Sequence, residues 1–156
     1  MKKYAFYITN HGFGHASRNI PLIEGILERE PESIIYVKTD AVRCEFMRRN
    51  LKAYIGNICF CEEYQDIGLI LQKNSYEIDA QKLKKVVAEE QKRWHTYRQT
   101  EVQFLKTQKI DLVVSDIIPW ILLAAQECGV SSVLLCNFTW YEMYKDFLPE
   151  ELCLPY

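Results

Sequence analysis

Short apolar runs alternate with longer stretches of helical periodicity along this chain, and this alternation constrains the fold more than any other feature. The apolar runs are residues 4–9 (YAFYIT), 33–39 (SIIYVKT), 111–115 (DLVVS) and 133–136 (VLLC). Nearly continuous apolar runs are typical of strands buried on both faces of a parallel sheet. Strands separated by helices therefore predict an α/β fold: a doubly wound, mainly parallel sheet with helices on both faces.

The helices are predicted from residue spacing. Residues 16–30 have an apolar face that recurs at spacings of four, three and four, at Ala16, Ile20, Ile23 and Leu27. Pro21 is expected in the first turn of this helix, where a missing N–H costs little. Further helices are expected at residues 41–50, 79–109, 118–128 and 139–147, and short strands at residues 53–55 and 58–61.

Capping residues mark the ends of several of these helices. Residues 79–109 contain no Gly or Pro, which favours one long helix or two abutting helices, and Asp79 is a suitable N-cap. Gly129 is suited to end the helix over residues 118–128. Thr139 and Glu142 have the spacing of a capping box.

Composition excludes several functional classes. With 156 residues, 49% of them hydrophobic and 26% charged, the chain fits one ordinary globular domain. A net charge of −2 does not suggest nucleic-acid binding. No apolar run approaches the ~20 residues of a membrane helix, and residues 4–9 are too short for a signal peptide. The six cysteines lack zinc-site spacing, so we expect no metal and a cytoplasmic protein with reduced thiols.

The predicted strand ends indicate where a ligand should bind. In open α/β sheets, ligands bind at the carboxyl ends of the strands. Here those ends carry polar residues, at positions 9–11, 39–40, 115–116 and 136–137.

The glycine-rich loop over residues 10–18 (NHGFGHASR) follows the first strand, and residue types alone leave two chemistries open. Gly12, Gly14 and Ser17 approximate a dinucleotide-binding fingerprint, with Asp40 after the second strand as a ribose-binding acid. His11 and His15 could instead hold a metal, although this requires both to be helical, and the two glycines disfavour a helix there.

The same loop resembles the G-H-G-x-G-H-x-x-R loop of predicted GT-B glycosyltransferases. It is more distantly similar to the G-G-T-G-G-H loop of the enzymes that add N-acetylglucosamine to the peptidoglycan lipid intermediate. Three further blocks resemble the first group in the same order: residues 64–72 (YQDIGLILQ), which look like that group's D-x-G-x-x-Q stretch, 111–120 (D-L-V-V-S-D-x-x-P) and 129–140 (G-V, then N-F-T-W). The resemblance spans nearly the whole chain and implies a Rossmann-like domain, the N-terminal, acceptor-side half of such an enzyme.

This resemblance also implies roles for individual residues. Inverting glycosyltransferases acting on small acceptors are similar in carrying a G-H in the first loop and an Asp in the later V-S-D block. This resemblance implies that His15 is the general base that takes a proton from an acceptor hydroxyl, and that Asp116 orients the His15 side chain. The resemblance further predicts substrate contacts from His11, Gly12, Phe13, Gly14, Arg18, Asn137 and Trp140.

The resemblance predicts that the acceptor and the donor are bound by two different domains. Residues 1–147 would form the acceptor-side domain, and residues 148–156 would begin a linker to a second domain. That domain, in the same chain or a partner subunit, would bind the nucleotide-sugar donor, which is a co-substrate rather than a cofactor. Without it we expect the chain to be inactive, and its apolar tail suggests a homodimer in isolation.

Structural roles remain as alternatives to each functional assignment. His15 could cap the first helix or bond to the backbone, and Asp116 could cap the helix that follows it. Phe138, Trp140 and Tyr141 could be core residues rather than the walls of an acceptor pocket. The whole domain could also be a non-catalytic module that binds a nucleotide or dinucleotide at the loop over residues 12–17.

Overall fold

Five strands form one sheet in which every pair of neighbours is parallel. The computed structural model describes residues 1–156. Its strands are β1 (Lys3–Ile8), β2 (Ile34–Thr39), β3 (Ile58–Glu62), β4 (Leu112–Asp116) and β5 (Ser131–Leu135). They lie in the order β3-β2-β1-β4-β5, so the order reverses at β1. The predicted α/β class is confirmed.

Helices cover both faces of the sheet. They are α1 (Phe13–Arg29), α2 (Ala41–Asn50), α3 (Ala80–Gln108), α4 (Pro119–Cys128), α5 (Trp140–Tyr144) and α6 (Glu150–Cys153), with a 3₁₀ helix at Lys52–Asn57. One core cluster packs α1 and α2 on the sheet, and another packs α3 and α4 on the opposite face. None of the helices combines the length and apolarity needed to cross a membrane.

The central strand β1 shows why its sequence is a continuous apolar run. Phe6 and Ile8 face the α1 side, while Ala5 and Tyr7 face the α3 and α4 side. All four are essentially inaccessible to solvent. Because successive strand residues point to opposite faces, a strand covered on both sides needs apolar residues at every position.

Strand β5 departs from this pattern. Val133 is 49% exposed and Leu134 is 42% exposed, although the run VLL suggested burial. β5 is an edge strand that pairs only with β4, so neither its outer edge nor its faces are fully covered.

Helix α1 begins earlier than predicted, which corrects the position of Pro21. Gly12, with φ of 75°, ends the loop, and Phe13 and Gly14 already belong to the helix. Pro21 therefore lies inside α1 rather than in its first turn. Glycine lowers helix propensity but does not forbid a helix, and this is why the two glycines misled the prediction.

Two shorter elements also differ from the prediction. Residues 53–55 belong to the 3₁₀ helix Lys52–Asn57 instead of forming a strand. α5 ends at Tyr144, before residue 147. The predicted caps are present: Asp79 accepts a hydrogen bond from the Lys82 N–H at 3.0 Å, and Gly129 ends α4 with φ of 68°.

Residues 148–156 pack against the domain. Leu148 and Cys153 are buried, and the ring of Tyr156 lies edge-on to Trp94, with 4.9 Å between centroids. Leu154 is 66% exposed. The assignment of this segment as the start of a linker stays a prediction, as does the homodimer.

Candidate functional site

The carboxyl ends of β1 and β4 lie side by side in the sheet. Ile8 at the end of β1 pairs in register with Asp116 at the end of β4. The glycine-rich loop that follows β1 then turns into α1, whose first turn carries His15. The register of the two strands therefore brings the predicted pair together from positions far apart in sequence.

His15 and Asp116 form a direct, shielded contact. The Nδ1 atom of His15 lies 2.7 Å from Oδ1 of Asp116. The Asp116 side chain is fully buried, and that of His15 is 12% exposed. Since Nδ1 faces the carboxylate, Nε2 is left without a partner from the chain. The ring of Phe138 lies edge-on to the imidazole, with 5.9 Å between the centroids.

Arg18 and Asn19 also bind the carboxylate of Asp116. Arg18 Nε donates to Oδ2 at 2.7 Å, and Arg18 Nη2 donates to Oδ1. Asn19 Nδ2 donates to Oδ2 at 2.7 Å. His15, Arg18 and Asn19 lie three and four positions apart, so they share one face of α1. Asn19 was not among the predicted site residues, although its spacing from His15 could have revealed it.

Arg18 extends this network to the loop after β5. Its Nη1 donates to Oδ1 of Asn137 at 3.0 Å, and its Nη2 lies 3.0 Å from Nδ1 of His15. The structure thus groups His15, Arg18, Asp116 and Asn137, all of which were predicted site residues.

Asp116 is held in its ionised form. Burial by itself would raise the pKa of this carboxyl, but the hydrogen bonds and charges of Arg18 and His15 outweigh burial and lower the pKa below its ordinary value.

Ile117, which directly follows Asp116, has a left-handed backbone with φ of 59°. This conformation is unfavourable for a β-branched residue, and it turns the chain sharply at the end of β4.

Neither residue of this pair has the helix-capping role considered for it. Asp116 does not cap α4, whose N-cap is Ile118. His15 does not cap α1, because the N-cap is Gly12 and no side chain caps that end.

A second buried carboxylate, Asp66, anchors the beginning of the loop. Its Oδ1 accepts a hydrogen bond from Thr9 Oγ1 at 2.9 Å and lies 3.2 Å from Nε2 of His11. Its Oδ2 accepts from Nε1 of Trp140 at 2.7 Å. Asn10 holds the same segment, because its Oδ1 accepts from the backbone N–H groups of residues 65 and 66, each at 3.2 Å. Sequence analysis placed Asp66 in a motif block but assigned it no role.

The charge on Asp66 affects His11. Burial alone lowers the pKa of His11, but hydrogen bonding to Asp66 and its charge together raise the pKa above the ordinary 6.5. The stability that this pair contributes is therefore fully present below pH 6.5 and is lost as the pH rises through the pKa of His11 in the folded state.

The remaining predicted contacts are more scattered. Phe13 is 47% exposed and packs on Phe46, with 5.1 Å between ring centroids, so it lies on the α2 side. Trp140 is only 3% exposed and bonds to Asp66. Gly12 supplies a positive φ, and Gly14 lies within α1.

The structure supports neither a dinucleotide-binding site nor a metal site at this loop. Asp40, the candidate ribose ligand, caps α2 by accepting from the Arg43 N–H at 2.9 Å and also pairs with the Arg43 guanidinium at 2.8 Å. His11 and His15 are bound to different carboxylates. No group of three or more His, Cys, Asp or Glu side chains is placed to hold a metal ion.

Comparisons with known proteins agree with this architecture. No protein-family model matches the chain. L-arabinokinase from Arabidopsis thaliana is 26% identical over 156 residues, covering 93% of this chain but 14% of that protein. A structure of Arabidopsis thaliana UGT89C1 with quercetin superposes with a TM-score of 0.57 at 12% identity, covering 92% of this chain and 36% of the enzyme.

Two other superpositions give the same result. UGT89C1 with UDP-L-rhamnose has a TM-score of 0.54 at 15% identity, covering 97% of this chain and 40% of that one. The calicheamicin glycosyltransferase CalG4 has a TM-score of 0.55 at 18% identity, and the superposition covers 93% of this chain and 37% of CalG4. The chain has the fold of a GT-B glycosyltransferase domain. It spans little more than a third of those enzymes, and the comparisons do not show the more distant similarity to the peptidoglycan enzymes.

We predict that Asp116→Asn lowers the free energy of unfolding by about 2 kcal/mol, because the ion pair with Arg18 is lost. Since the folded-state pKa of Asp116 lies below its ordinary 3.8, the stability it contributes is present above that pH and is lost as the pH falls. Urea denaturation between pH 7 and pH 2 measures this. The exposed Asp146→Asn is the control, and a difference from wild type that persists unchanged into acid would contradict the account.

A second prediction concerns the contact between Gly68 and His11. Gly68 and Gly12 have nearly equal positive φ values, 72° and 75°, but only a Cβ at Gly68 would meet the His11 ring, 2.6 Å from Nδ1. Each Ala substitution costs about 1 kcal/mol of backbone strain. Gly68→Ala should cost about 2 kcal/mol more than Gly12→Ala because of the clash, and it should shift the His11 ring signals in NMR spectra. Equal losses for the two variants would show that the ring is not held against Gly68.

Proposed function

We propose that this chain is the acceptor-side half of a glycosyltransferase, in which His15 is the general base and Asp116 orients it. The observation that carries the proposal is the 2.7 Å contact between His15 Nδ1 and a fully buried, ionised Asp116. It lies at the carboxyl edge of a sheet whose fold is shared with UGT89C1, described in complex with UDP-L-rhamnose.

The geometry suits proton transfer from an alcohol. With Nδ1 donating its proton to Asp116, the lone pair on Nε2 of His15 faces away from the carboxylate and can take a proton from an acceptor hydroxyl. The acceptor oxygen then bonds to the anomeric carbon of the donor sugar, and the bond from that carbon to the nucleotide's phosphate oxygen breaks. Asp116 remains ionised and stabilises the imidazolium that forms. Attack opposite the leaving group would invert the anomeric centre.

Arg18 is best described as a positioning residue in this scheme. Its guanidinium is already bonded to Asp116 and to Asn137, so its donors are largely occupied. A bidentate arginine fixes a carboxylate in one orientation, and this in turn fixes the plane of the His15 ring. We propose that Arg18 and Asn137 support the base rather than bind a phosphate.

The donor would be a nucleotide sugar bound by another domain. The chain covers 36% of UGT89C1 and 37% of CalG4, which leaves room in such enzymes for a second domain. Aromatic walls beside His15, such as Phe138, fit a sugar or aglycone acceptor. The proposal includes no metal or cofactor, and the free cysteines favour a cytoplasmic location.

The test is transfer activity with the chain joined to or mixed with a donor-binding half, screened with UDP-sugars and GDP-sugars. His15→Gln should lower kcat by about 10²–10⁴-fold, because a general base supplies that much. His95→Gln, an exposed position in α3, is the matched control and should retain full activity. Normal transfer by a folded His15→Gln enzyme would exclude His15 as the base.

A further inference from the structure

Asn19 links the backbone of His15 to the carboxylate that His15 contacts. It lies one helical turn after His15 in α1 and has no solvent exposure. Its side-chain Nδ2 donates two hydrogen bonds, one to Oδ2 of Asp116 at 2.7 Å and one to the backbone carbonyl of His15 at 2.8 Å. A single amide group therefore joins the end of β4 to the first turn of α1.

The two partners of Nδ2 explain why an amide occupies this position. Both are oxygen acceptors, so the group between them must supply two hydrogens. The NH₂ of an asparagine has two, whereas a serine hydroxyl has one and an ionised aspartate has none. Turning the amide over would set Oδ1 of Asn19 against both acceptors, so the surrounding groups fix its orientation.

The other end of the Asn19 amide shows that packing alone does not account for the residue. Its Oδ1 is buried and accepts no hydrogen bond from the chain. Burying a polar atom in this way is unfavourable, and an apolar side chain would fill the same space without that cost. The contribution of Asn19 therefore comes from its two donated hydrogen bonds.

We propose that Asn19 is a positioning residue that holds the imidazole of His15 in place against Asp116. The ring of His15 contacts Asp116 directly through Nδ1, and its backbone carbonyl is held to the same carboxylate through Asn19. The first turn of α1 cannot shift along β4 without breaking one of these bonds. Arg18 orients the carboxylate, whereas Asn19 fixes the stretch of helix backbone that carries His15. The effect on catalysis rests on the proposed function, in which His15 is the base.

The first test is nitrogen-15 NMR of the His15 ring in the full chain, recorded where the imidazole is neutral, with urea denaturation to confirm folding. Asn19→Ala removes both hydrogen bonds. We expect this variant to fold and the population ratio of the two His15 tautomers to fall about tenfold, since a hydrogen bond to a charged group is of that order.

Asn57→Ala is the matched control. Nδ2 of Asn57 also donates to two backbone carbonyls, those of Pro31 at 2.8 Å and Ser33 at 3.0 Å. Asn57 directly precedes β3, so it lies at the amino edge of the parallel sheet, opposite His15. The control should lose stability and leave the ring-nitrogen shifts of His15 unchanged.

A second variant, Asn19→Asp, keeps the shape of the side chain and replaces its donors by acceptors. It should disturb the His15 ring at least as much as Asn19→Ala. Wild-type ring-nitrogen shifts in either folded variant, or an equal change in Asn57→Ala, would overturn the proposal. Failure of both Asn19 variants to fold would also overturn it, because the role of Asn19 would then be structural.

The second readout is sugar transfer with a donor-binding half. Asn19→Ala should lower kcat about tenfold and leave both KM values unchanged, because a residue without solvent exposure contacts neither substrate. If the wild-type chain transfers no sugar but the ring of His15 responds to Asn19→Ala, the proposed function fails and the positioning role stands. Normal kcat with an undisturbed ring would overturn the positioning role alone.

Discussion

A carboxylate without solvent access, Asp116, ties the first helix to the fourth strand, and the geometry of the site depends on it. An ionised group can be buried only if donors replace its water. Here α1 supplies them all from one face, through His15, Arg18 and Asn19. The orientation of α1 on the sheet is therefore linked to the position of the imidazole.

Contacts of the same kind hold the chain on either side of Gly12, which ends the loop between β1 and α1. His11 in the loop lies against Asp66, and His15 in the first turn of α1 lies against Asp116. The loop is therefore tied to buried carboxylates on both sides of its turn. Preorganisation of this kind would serve the general base proposed at His15, since a misplaced base loses much of its effect.

Much of this arrangement could be predicted from the sequence, because it follows from periodicity and capping. The apolar runs of β1 and β4 placed His15 and Asp116 near the carboxyl ends of strands, whereas their pairing was predicted from the resemblance to glycosyltransferases. The start of α1 was missed because glycine has a low helix propensity, although Gly14 lies within the helix. The exposure of β5 was missed because an apolar run does not show whether its strand lies at the edge of the sheet. The role of Asp66 was missed because its partners, Thr9, His11 and Trp140, lie far away in sequence.

We propose that Asp116 fixes the tautomer of His15, leaving Nε2 free to accept a proton. Nitrogen-15 NMR of the His15 ring, recorded where the imidazole is neutral, tests this most directly because each tautomer has a distinct pattern of ring-nitrogen shifts. The account predicts a proton on Nδ1, a bare Nε2, and loss of this preference in Asp116→Asn. A proton on Nε2 in the wild-type chain would contradict it, because the atom assigned to take the acceptor's proton would already carry one.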